Sequence, residues 1–148
     1  MKKTIMKKMV AMILMTVTPL VFSAELEISR TNVRANVPGS DNTAAYMLVE
    51  NLTKEDVRIV GAESDVSEFA ELHSHKMDGD RMIMRHEKYI DVDAGESVRF
   101  APNGYYVMLI GLKNRVKHGE HATITLKYDD GTSQAFKFDV IDPRKVAE

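Results

Sequence analysis

The sequence predicts an all-β fold in a single domain. Short runs rich in Val, Ile, Thr, Tyr and Phe recur from Leu26 to Val140, clusters of turn-forming residues separate them, and no apolar stripe of helical period interrupts the series. Strands at this spacing suit an antiparallel sandwich or barrel.

The strands are expected near 26–35, 43–51, 56–63, 68–76, 81–90, 97–101, 105–111, 121–128 and 133–140. Between them lie Pro38-Gly39-Ser40-Asp41-Asn42, Asp78-Gly79, Ala94-Gly95, Pro102-Asn103-Gly104, His118-Gly119 and Asp129-Asp130-Gly131. The last pair of strands reads most clearly. Thr123–Tyr128 and Ala135–Val140 alternate polar and apolar residues on either side of an Asp-Gly turn, as a half-buried sheet requires.

Upstream of the strands, residues 1–24 have the three parts of a secretory signal. Lys2, Lys3, Lys7 and Lys8 make a positive start, Met9 to Phe22 an apolar centre, and Ser23-Ala24 a small-residue end, with cleavage expected after Ser23 or Ala24. The apolar run is 14 residues long, short of the roughly 20 that a spanning helix needs, so no membrane anchor is expected. The expected organisation is a signal over 1–24, one β-sandwich domain over 25–141 and a C-terminal tail over 142–148.

Removal of residues 1–23 takes away four lysines and leaves 16 Lys and Arg against 22 Asp and Glu, a net charge of −6. An acidic body of this kind argues against nucleic acid or an anionic membrane as partner. There is no cysteine. That excludes disulfides, a thiolate nucleophile, zinc–thiolate sites and a blue-copper centre within these residues, together with a lipidated cysteine after the signal. A free protein in a Gram-negative periplasm is the expected location, and a monomer the expected state.

The placement of methionine and histidine carries the chemistry. Five methionines remain beyond the signal, Met47, Met77, Met82, Met84 and Met108, and His73, His75 and His86 lie in the same stretch as the last four. Equal-parity residues of a strand share a face, so His73, His75 and Met77 project together, as do Met82, Met84 and His86. A two-residue turn at Asp78-Gly79 would pair Met77 with Asp80, His75 with Met82 and His73 with Met84, placing facing Cβ atoms about 5 Å apart. Thioether sulfur is a soft neutral ligand and imidazole a borderline one, so a Met/His cluster without thiolates selects Cu(I) over Zn(II), Mg(II) or Ca(II). Against this stands the common use of methionine as a core filler, open to Met82, Met84 and Met108.

Other groupings read as structural. Asp91 and Asp93 precede an Ala-Gly turn, His118 and His121 flank a Gly-Glu turn in a lysine-rich loop, and Ser64, Ser67 and Ser74 lack a nucleophile elbow. No phosphate loop or dinucleotide fingerprint is present. An enzyme is not expected.

Glu71-Leu72-His73, Met77-Asp78-Gly79, Met84-Arg85, Asp93-Ala94-Gly95-Glu96 and Pro102-Asn103-Gly104-Tyr105-Tyr106-Val107-Met108-Leu109-Ile110-Gly111-Leu112 together resemble the PCu(A)C-type periplasmic copper chaperones. The resemblance covers most of residues 25–141. It implies a cupredoxin-like antiparallel β-sandwich of Greek-key type that binds Cu(I) and delivers or buffers it. The implied recipient is a periplasmic or membrane protein such as a cytochrome c oxidase subunit awaiting assembly, or another copper chaperone.

That family's ligand motif runs His, ten residues, Met, twenty-one residues, His, one residue, Met. His73, Met84 and Met108 match three of its four places, and Tyr106 stands where the family has its second histidine. The implied metal ligands are therefore His73, Met84 and Met108, with His75, Met77 and His86 as auxiliary candidates. Neutral tyrosine is a poor ligand for Cu(I), having a phenol pKa near 10. Tyr106 thus also motivates an alternative, a sandwich that has lost copper transfer and serves as a protein-interaction or assembly module. Asn103 replaces a glycine of the family's turn, a change that a residue tolerant of left-handed backbone angles should absorb.

Overall fold

The computed structural model describes residues 26–146. Ten strands follow one another: β1 (Glu27–Arg34), β2 (Asn42–Glu50), β3 (Val57–Ser64), β4 (Ser67–Asp78), β5 (Arg81–His86), β6 (Ile90–Val92), β7 (Ser97–Phe100), β8 (Tyr105–Leu112), β9 (His121–Tyr128) and β10 (Ser133–Ile141). A single helical turn, α1 (Pro143–Val146), follows them. Among the described residues, no helix is long and apolar enough to cross a membrane. The expected signal lies outside the described residues.

The strands form one sheet in the order β5-β4-β8-β7-β2-β1-β10-β9-β3-β6. The additional pairing of β3 with β4 at Ala62 and Ala70 bends the sheet back on itself, and β2 also pairs with β8. The result is a barrel-like all-β domain. Strand β2 makes this possible by changing partner along its length, with Asn42–Ala45 facing β8 and Met47–Glu50 facing β7. Most neighbours run antiparallel, while β1 with β10, and β7 with β8, run parallel.

Alternation along the strands fills the interior. Phe100, Phe138, Met47, Ile59, Leu72, Leu109, Ile124 and Leu126 are the large side chains fully buried there. Met47 is a core filler, as methionine often is. Leu72 on β4 and Val107 and Leu109 on β8 point inward, so His73 and His75, and Tyr106 and Met108, lie on the outer face of the same strands.

The run expected as one strand over 81–90 is two. Strand β5 pairs with β4, whereas β6 pairs with β3, so the chain must leave one edge and join the other between them. The crossing is held where Glu87 donates its backbone N–H to the Leu72 carbonyl at 2.8 Å and accepts the Ser74 hydroxyl at 2.6 Å. The Asn103 expectation holds. Gly104 N–H bonds the Ala101 carbonyl at 3.0 Å across Pro102-Asn103, and Asn103 takes φ +67°, as the third residue of a type II turn must.

Asp142, the first residue of the expected tail, is 8 % exposed. Its carboxylate accepts the Arg144 backbone N–H at 3.0 Å and pairs with the Arg144 guanidinium. Those hydrogen bonds hold its pKa down at about 2.

Candidate metal centre

The β4–β5 hairpin carries most of the expected ligands, and its register differs from expectation by two residues. Asp78 pairs with Arg81, Met77 with Met82, His75 with Met84 and His73 with His86. The turn residues are Gly79 and Asp80, with Gly79 at φ +61°. Glycine in the first central position is the type II′ arrangement, whereas Asp78-Gly79 would have needed positive φ at both residues. A slip of two preserves parity, so every expected ligand stays on the face assigned to it.

On the other side of β4, strand β8 sets His73 beside Tyr106 and Glu71 beside Met108. Strand β2 then places Ala44 beside Met108. His75, Met84, Tyr106 and Met108 thereby line one cavity of about 340 Å³, with Tyr46 and the 35–40 connection completing its wall. Tyr106 is 4 % exposed. Its ring centroid lies 4.8 Å from that of His75 and 5.6 Å from that of His73.

The remaining candidates sit differently. His73 flanks the cavity, its ring 5.4 Å from that of His86. His86 is exposed and lines a larger open groove of about 940 Å³ beside Phe69, Glu71 and Lys113. That groove holds none of the methionines. Met77 and Met82 form an exposed cross-strand pair next to the hairpin turn, outside the cavity lining.

The hydrogen-bond inventory points to the same place. Among the described residues, the buried side-chain nitrogen and oxygen atoms without a partner are His73 Nδ1, His75 Nδ1 and the Tyr106 hydroxyl. An unsatisfied buried polar group costs on the order of 1–3 kcal/mol, and three adjacent ones mark a position that something else must satisfy. His73 is prepared for that role. Its Nε2 lies 2.8 Å from Glu71 Oε2, and a carboxylate at that nitrogen fixes the proton there and leaves the Nδ1 lone pair free for a cation.

Glu71 and Tyr46 are contributions that sequence reasoning left without a role. Glu71 stands two residues before His73 on one strand, so parity alone was the signal. Tyr46 comes from another strand with no such mark. Burial, and after it the neighbouring Tyr46, raises the Tyr106 phenol above its ordinary value, keeping it neutral and making phenolate ligation unfavourable.

Chemically, the arrangement offers imidazole nitrogen and thioether sulfur. Among the described residues, no three histidine or carboxylate side chains converge as a metal cluster, so sulfur is needed to fill a coordination shell here. That donor set suits a soft monovalent cation better than a hard dication.

Comparison with known proteins agrees with the fold. A family model described as "Putative lipoprotein LpqE-like" matches residues 26–140. "Putative lipoprotein Lxx21020" of Leifsonia xyli subsp. xyli (strain CTCB07) is 30% identical over 118 residues, 79% of this chain and 70% of the relative. The copper-bound PCuAC domain from PmoF2 superimposes with a TM-score of 0.68 at 23% identity, over 80% of this chain and 93% of that one. Cu(I)-bound DR1885 from Deinococcus radiodurans gives 0.60 at 29% identity, over 76% of each chain.

Proposed function

Since the chain belongs to the LpqE-like family and has the fold of PCuAC domains, we propose that it is an exported Cu(I)-binding chaperone without catalytic turnover. Its ligands on this reading are His73, Met84 and Met108. The observation that carries it is the pair of unpartnered buried Nδ1 atoms at the Met84–Met108 cavity, that of His75 in its wall and that of His73 beside it, next to Tyr106.

A chaperone must also release its cargo. Met84 is 58 % exposed, so an incoming ligand from a recipient could join the shell before Met84 leaves it. A cytochrome c oxidase subunit or a second copper chaperone would be a recipient of this kind. The reading includes removal of residues 1–24 as a signal, a cupredoxin-like Greek-key domain over 25–141, a tail over 142–148 and a periplasmic location. These 148 residues contain no cysteine, so no lipid is attached to a cysteine within them.

The test is a Cu(I) competition titration against a chromophoric chelator. One-to-one binding is expected, lost in His73→Ala/Met84→Ala and tightened by Tyr106→His, which restores an imidazole at the third motif position. Unchanged affinity in the double variant would refute the site. Absence of binding by the native protein together with binding by Tyr106→His would favour the interaction-module alternative.

A further inference from the structure

We propose that His75 is itself a metal ligand, binding through Nδ1, and that it returns to the coordination shell the imidazole that Tyr106 replaces. The inference rests on the Cu(I) reading above and deepens it by assigning one more donor.

His75 and His73 share a strand face, but only His75 lines the cavity with Met84, Tyr106 and Met108. Its partner across the hairpin is Met84, so a thioether and an imidazole face each other at the separation that lets two side chains share one ion. On the opposite side, His75 donates its backbone N–H to the Gly104 carbonyl at 3.0 Å. The His75 ring packs against Tyr106, with centroids 4.8 Å apart.

Adjacent strands lie about 4.8 Å apart. An imidazole on β4 beside the Tyr106 ring can therefore approach the ion that an imidazole on β8 at position 106 would bind. His75 Nδ1 is buried without a partner, and no side chain in the cavity supplies an acidic group to it. A cation or a water can satisfy that nitrogen, and the two have different consequences for metal affinity.

The experiment is the Cu(I) competition titration of the native protein, His75→Ala, His75→Gln and His75→Ala/Tyr106→His, with folding of each checked by circular dichroism. It is joined to ring-nitrogen NMR of the native protein as one equivalent of redox-inert Ag(I) is added. His75→Ala and His75→Gln are each expected to weaken Cu(I) by at least about 30-fold. Tyr106→His should recover most of that loss, and the His75 Nδ1 resonance should shift on Ag(I) addition. Tight native binding that both His75 variants retain within twofold, or an unmoved His75 Nδ1 resonance, would overturn the assignment while leaving the chaperone reading intact. No native binding would overturn both.

Discussion

Replacing Met84 and Met108 together by leucine is expected to weaken Cu(I) binding on the order of a thousandfold while leaving the fold in place. Both thioethers line the cavity and come from strands on opposite sides of β4, so the double change removes all the sulfur from its wall. Taking each ligand as worth at least the 10- to 100-fold seen for supporting groups gives that estimate. Leucine matches methionine closely in volume, and such swaps cost less than about 1.5 kcal/mol. Met84 is already 58 % exposed, which lowers its share of that cost. Chelator competition and a thermal melt on the same sample separate the two effects. Retained affinity would show that sulfur is not part of the site, and a collapsed melt would show that the methionines serve packing.

The second large effect is on stability. Asn51 is fully buried, and every polar atom of its side chain is used. Its amide donates to the Glu55 carbonyl at 2.7 Å and the Val92 carbonyl at 2.9 Å, while Oδ1 accepts from the Thr53 N–H at 3.0 Å and the Thr53 hydroxyl at 2.7 Å. The backbone of Asn51 bonds Gly95 and Glu96. One residue thus ties the end of β2, the 51–56 connection and the exit of β6 together. Asn51→Asp puts a carboxylate oxygen against two carbonyl oxygens in a buried site, where loss of partners costs about 3–5 kcal/mol. For a domain of this size the melting temperature should fall by roughly 10–15 °C. A fall of under about 3 °C would mean that the network is replaceable by water.

The contrast between these two sites shows what the sequence made legible. The cluster could be read because its residues alternate along strands, and period 2 survives errors of register that are even. The β4–β5 pairing is displaced by two residues from the Asp78-Gly79 expectation, yet His73, His75, Met77, Met82 and Met84 all keep their shared face. The turn expected at Asp78-Gly79 is Gly79-Asp80 instead. Gly79 takes positive φ in either arrangement, so the difference lies in Asp78, which the expected turn would have put in the left-handed region and which stays out of it.

Distance along the outer face was not legible. His75 and Met84 meet at the cavity, whereas Met77 stops short near the hairpin turn and His86 turns to the neighbouring groove. That sorting depends on β8, β2 and the 35–40 connection folding over one part of the face. Long-range packing of this kind leaves no mark in local spacing. For the same reason the break of the 81–90 run into β5 and β6 was hidden, since both halves have strand composition and only the change of partner separates them. Asn51 was invisible too, because a buried asparagine in a polar turn looks like any other turn residue.

The most direct test of the central claim is copper K-edge X-ray absorption of the native protein loaded with one equivalent of Cu(I). The expected result is a coordination shell of mixed sulfur and nitrogen scatterers, with two sulfurs from Met84 and Met108 and the multiple-scattering pattern of at least one imidazole. A shell of nitrogen and oxygen alone would contradict it.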